Sequence, residues 1–225
     1  MSTRVAAQER AEPAVDTAVP ARPRGRRPAG AVSGREALLA AALSAFARNG
    51  YEATSLRVIA ADAGVDMALV ARLFGSKADL WLAVVDFLAE RQAEGRAKLA
   101  EIAAFAAQDP AEAMRRFVRF YAEVSARGRE VPAFIMQESG QPNERLDILV
   151  ERLILPFRDA CRPIFAAAFR AGVVNATDPV LFARMMFASI SLPMVPSALA
   201  PDGGRVTPER VDAIVAQAIA LFVRG

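Results

Sequence analysis

The chain of 225 residues has no histidine, one cysteine and two tyrosines. Each shortage removes a class of chemistry. Without His, the commonest general base and the commonest metal ligand are absent. The Glu-x-x-His pairs that hold di-metal centres inside helical bundles cannot be built either. Cys161 alone can form neither an internal disulfide nor a cysteine-based zinc cage. Acidic pairs such as Glu138 and Glu144 come with no glycine-rich phosphate loop. The sequence therefore implies no enzyme, no cofactor and no metal. Glycine and proline number only 13 and 14, and no long stretch alternates apolar with polar residues, so a sheet is not expected.

Neither a secretory leader nor a membrane span is expected. The first residues are polar and proline-punctuated, which reads as a cytoplasmic protein. The uncharged run from Met185 to Pro201 is shorter than the roughly 20 residues a spanning helix needs, and Pro193 and Pro196 interrupt it. A helix buried against a partner explains that run better.

What is present is 54% hydrophobic residues with abundant alanine, the composition of packed helices. The net charge of +3 is unevenly placed. Residues 1–34 carry six Arg against Glu9, Glu12 and Asp16, whereas residues 35–94 carry six Lys or Arg against eight Asp or Glu. Residues 1–34 read as a disordered basic arm. Within it, Arg24, Arg26 and Arg27 flank Gly25 in a proline-bounded strand resembling an AT-hook core, which could enter a narrow minor groove. A solubilising tail is the alternative.

Helical order is expected from Arg35. Leu38, Leu39, Ala42, Leu43 and Phe46 form one apolar stripe, and Asn49-Gly50 should stop it. Thr54 and Ser55 can each cap a second helix carrying Ile59 and Ala60 inward. Asp66 should cap a third helix from Met67 to about Phe74, after a break at Ala63-Gly64-Val65. Tyr51, Ile59, Val65, Leu73 and Phe74 are expected in the core. Two short helices joined by a tight glycine-containing turn are the signature of a helix-turn-helix.

The residues Ala41-Ala42-Leu43, Phe46, Asn49-Gly50-Tyr51, Ala53-Thr54-Ser55, Ile59-Ala60, Ala63-Gly64-Val65, Phe74-Gly75-Ser76-Lys77 and Leu80 stand in an order and spacing that closely resembles the N-terminal domain of the tetracycline-repressor (TetR) family. That resemblance implies an all-α fold: a three-helix helix-turn-helix domain at residues 35–82, followed by a larger helical bundle at 83–225 for ligand binding and dimerisation. It implies that the third helix reads bases in a major groove through Met67, Ala68 and Arg72. Ser55 and Arg57 match positions that touch phosphate or a base edge, and Lys77 a phosphate-binding lysine. The chain departs from the family pattern at Ala71-Arg72, where Tyr and a second ring or His are frequent. It departs also at Met67 and Leu69, where Lys or Gln and Thr are frequent.

The rest of the chain reads as a bundle. Asp109-Pro110, Asp178-Pro179 and Thr207-Pro208 are helix starts. Helix four should run on toward Phe105, and Pro156 and Pro163 should kink or break the segment from Asn143 to Ala171. The resemblance implies that the last two helices form a homodimer interface, expected at Phe182, Met185, Met186, Ile190, Val211, Ile214, Val215, Ala218, Ile219 and Phe222. It also implies palindromic operator DNA and a small-molecule effector as partners. Phe105, Phe117, Tyr121, Phe134, Met136 and Phe165 are the expected liners of an apolar effector pocket. The competing reading is a helical dimeric interaction protein that has lost specific DNA binding.

Overall fold

A reciprocal capping box starts the first helix. In the computed structural model, which describes residues 33–196 and 205–224, the Glu36 amide donates to Ser33 Oγ at 3.1 Å and the Ser33 amide to Glu36 Oε2 at 3.0 Å. The expected arm with Arg24, Arg26 and Arg27 lies outside the described residues. Helix α1 (Gly34–Ala53) buries Leu38, Leu39, Ala42, Leu43 and Phe46 on one face. Gly50 takes φ 75° and ψ 171°, a backbone that only glycine adopts without strain. Helix resumes after it through Ala53, so the expected stop is a kink.

Helices α2 (Leu56–Asp62), α3 (Met67–Leu73) and α4 (Lys77–Glu94) complete the N-terminal head. The body follows as α5 (Arg96–Phe105), α6 (Pro110–Arg127), α7 (Val131–Glu138), α8 (Glu144–Leu149), α9 (Leu155–Arg170), α10 (Pro179–Ser191) and α11 (Pro208–Phe222). Helix four is thus divided at Gly95, where the Phe120 ring packs so closely that a Cβ would stand 3.1 Å from it. The only β pairing among the described residues is an isolated bridge between Val174 and Val223. No described helix is long and apolar enough to cross a membrane.

The prolines do not break the α8–α9 run. A π turn, Val150–Ile154, widens the helix just ahead of Pro156, and the Leu155 amide reaches back to the Val150 carbonyl. Pro156 has no amide to donate, and the wider turn accommodates its ring. Pro163 sits inside α9 without ending it.

Two apolar cores result. The second unites α5, α6, α9, α10 and α11 around Phe117, Ile164, Phe165 and Met186. The first is built on α1, α4, Ile59 of α2 and Val70 of α3, yet it also contains Phe134 of α7, Leu149 of α8 and Leu153 of the π turn. Phe134 is 0% exposed, with its ring centroid 5.9 Å from that of Trp81 and 6.5 Å from that of Phe46. The head core is therefore closed by the body. A boundary at residue 82 falls inside α4.

Candidate nucleic-acid interface

Each helix of the helix-turn-helix is fixed by its own cap. Ser55 Oγ accepts from the Val58 amide at 3.3 Å, and Asp66 Oδ1 from the Ala68 amide at 2.7 Å. Thr54 does not cap α2. Its buried hydroxyl donates to the Gly50 carbonyl at 2.7 Å and closes the end of α1. Between α2 and α3, Gly64 takes φ 64° and allows the tight turn.

Helix α3 is held by Val70, its one fully buried residue. Met67, Ala68, Ala71 and Arg72 are exposed, and their spacing places them on one outward stripe. Arg57 is exposed on α2, next to the Ser55 cap. Ile59 and Phe74 are buried as expected, while Tyr51 and Val65 are half-buried. Leu73 departs from expectation. It is 39% exposed and belongs to the outward surface, because the seven-residue helix is anchored from one side only.

Lys77 also departs from expectation. Its ammonium donates to the carbonyls of Tyr51 at 3.0 Å, Thr54 at 3.1 Å and Glu52 at 3.4 Å. An ammonium has three hydrogens, so its donors are committed to the last carbonyls of α1 rather than offered to a phosphate. Arg48 is likewise engaged, 3.3 Å from Asp62.

The expected effector residues do not converge. Phe134 lies in the head core, Met136 is 61% exposed, and Phe105 sits at the edge of the body under the Arg116 guanidinium, 3.8 Å from its ring centroid. Phe117, Tyr121 and Phe165 do come together, joined by Phe157, Phe182 and Phe187. Phe157 and Phe187 were missed. Phe187 lies off the Phe182, Met186 and Ile190 stripe of α10, about 140° round the helix from Phe182, so that stripe gave no signal for it. The Ser191 and Ser125 hydroxyls lie beside the Tyr121 phenol. Burial pushes the phenol above the ordinary value, and those two hydroxyls only partly offset the effect. Burial likewise pushes the Cys161 thiol far up.

The expected dimer set mixes two faces. Phe182, Met186, Ile190, Val215, Ala218 and Phe222 are buried inside the body of one chain, and Val211, Ile214 and Ile219 pack half-buried against them. The six buried residues are therefore monomer core, because the strongest apolar stripe of each helix turns inward, while the three half-buried ones retain surface. Only Met185 is exposed, at 55%. The outward side of α10 and α11 carries Leu181, Met185 and Leu221 instead.

Comparison with known proteins is consistent with this geometry. The chain is similar in fold to the hemolysin II transcriptional regulator HlyIIR, with a TM-score of 0.62 and 18% identity over 85% of this chain and 98% of that one. It is similar to AibR, solved in complex with isovaleryl coenzyme A and operator DNA, with a TM-score of 0.61 and 24% identity over 84% of this chain and 98% of that one. A putative fatty acid metabolism regulator of Clostridium perfringens gives 0.61 and 22% over 84% of this chain and all of the other. No curated protein matches the chain. Residues 38–84 match the family of bacterial regulatory proteins described as the tetR family. Over that stretch, a helix-turn-helix, the chain is similar to the tetR family of bacterial regulatory proteins.

Proposed function

We propose that the protein is a dimeric, sequence-specific DNA-binding regulator, acting as a repressor that a small apolar ligand releases from its operator. The observation that carries this reading is the outward stripe of α3, where Met67, Ala68, Ala71 and Arg72 stand free of the core, with Ser55 and Arg57 exposed at the start of α2. Arg72 can grip a guanine edge through two hydrogen bonds, and Met67 and Ala68 can meet thymine methyls. AibR, of the same fold, was captured on operator DNA. Arg24, Arg26 and Arg27 supply minor-groove or phosphate contacts that the head, with no surplus of basic residues, lacks.

The dimer forms through the outward side of α10 and α11, with Leu181, Met185 and Leu221 at its centre. It sets two α3 helices roughly 34 Å apart, one turn of DNA. The effector enters the ring cluster of Phe117, Tyr121 and Phe165. That surrounding is apolar apart from the Tyr121, Ser125 and Ser191 hydroxyls, which suits an apolar body bearing one hydrogen-bonding group.

The test is selection of purified protein against randomised DNA, followed by gel shift on the enriched sequence with Arg72→Ala as control. A saturable shift on a palindrome, lost in the variant, is the expected result. One observation favours a second reading, a helical interaction protein: Lys77 and Arg48 are both engaged within the chain. Failure to enrich any sequence would move the conclusion there.

A further inference from the structure

We propose that Arg145 is a positioning residue that fixes the angle of the α1–α3 head on the helical body. Its guanidinium touches three groups from two parts of the molecule. Nε donates to Glu138 Oε2 of α7 at 3.0 Å, Nη2 to Glu52 Oε1 of α1 at 3.4 Å, and Cζ lies 4.0 Å from the Tyr51 ring centroid. Glu138 is only 3% exposed, so the carboxylate that anchors the fork is itself immobilised by packing. Glu52 is exposed and its pair adds little alone, so the guanidinium meets the head chiefly through the Tyr51 ring.

The need for such a tether follows from the rest of the contact. Phe134, Leu149 and Leu153 enter the head core from the body, and Ile135 and Ile154 pack against it. Apolar contact resists withdrawal but is non-directional, so it holds the two parts together while directional polar contacts refine their angle. Beside Arg145 the surface opens into a cleft of about 430 Å³ lined by polar groups, among them Asn49, Gln137, Gln141 and Asn143. The planar guanidinium constrains rotation on that side, because its donors diverge at fixed angles toward Glu138 and Glu52 while its face lies on Tyr51. Glu52 and Tyr51 follow the Gly50 kink, so the guanidinium holds the segment of α1 with the weakest helical continuity. The consequence for operator spacing rests on the DNA-binding reading; the positioning itself does not.

The test is a distance distribution between nitroxides at Ala61→Cys on α2 and Glu123→Cys on α6, both exposed positions. Labelled chains are diluted into excess unlabelled protein, and Cys161 is buried. The double variant Glu138→Gln/Arg145→Leu leaves no unpaired charge in the interior. It should keep its helical circular dichroism while the single narrow distance of the parent protein broadens. Arg145→Lys should recover the melting temperature, since it still neutralises Glu138, but not the narrow distance, since an ammonium lacks the fork. An unchanged narrow distance in either variant would overturn the proposal. On selected DNA the double variant should lose the parent's preference for one half-site spacing. Parent protein that selects no DNA would remove the regulator reading while leaving the distance measurement to decide the role of Arg145.

Discussion

Lys77 and Tyr51, from the start of α4 and the end of α1, are joined twice. The ammonium donates to the Tyr51 carbonyl at 3.0 Å and lies 4.3 Å from the centroid of the same residue's ring. Together with the Glu52 and Thr54 carbonyls this makes Lys77 the C-terminal cap of a helix distant in sequence. A positive charge also suits that end of the helix dipole.

Lys77→Ala should therefore cost about 2–3 kcal/mol of stability, through carbonyls left without donors and a lost cation–π contact. Lys77→Arg should not recover it, because a planar fork cannot aim at three converging acceptors. Urea unfolding measures both. The salt slope of DNA binding should not change, whereas a phosphate ligand would remove about one unit.

Phe134→Ala should destabilise the protein by about 3–5 kcal/mol. The effect should reach the head, since Phe134 packs on Trp81, the only tryptophan in the chain. A red-shifted tryptophan emission in the folded variant is the expected signature.

Alkaline pH should weaken the fold through Cys161. Burial keeps its thiol protonated well above the ordinary 9.0, while the unfolded chain ionises there. The native state then binds more protons than the unfolded state. Stability is full below the ordinary value and falls above it by about 1.4 kcal/mol per pH unit for each such group. Cys161→Ala should flatten the fall of the urea midpoint between about pH 9 and pH 10. The part due to Tyr121, raised from 10.0, should persist at higher pH.

Arg72→Ala should weaken operator binding by about 1–3 kcal/mol and relax specificity at one base position. Met67→Ala should cost less, since it removes only an apolar contact. Titration against a panel of single-base operator variants distinguishes the two.

Met185→Glu combined with Leu221→Glu should shift sedimentation from dimer to monomer with helicity intact. Met186→Ala, on the buried side of the same helix α10, should instead cost about 2–5 kcal/mol of stability. A monomeric parent protein would refute the dimer.

Much of the fold was legible because caps are local. Ser55, Asp66, Asp109-Pro110, Asp178-Pro179 and Thr207-Pro208 each mark a helix start at the expected place. At Pro156 the expected kink or break takes the form of a π turn, which has no sequence signal of its own. Periodicity showed that α10 and α11 have apolar stripes but not which of two bodies each stripe meets. The brightest stripe faces inward, and the residues between it and solvent are the ones left exposed. Phe134, Lys77 and Arg145 were the least legible. Their partners are fixed by tertiary packing, with Arg145 and Glu52 standing 93 positions apart, and no local pattern encodes such pairings.

The insertion of Phe134, Leu149 and Leu153 into the head core bears on how such chains can be recombined. A reading head cut out at the end of α4 and grafted to a foreign body would carry a hole the size of a phenyl ring beside Trp81. Exchange of this head would require the recipient to offer a matching plug from its own α7–α8 region. On the DNA-binding reading, a change of site is therefore reached more easily by point changes on the outer face of α3 than by transplanting the head.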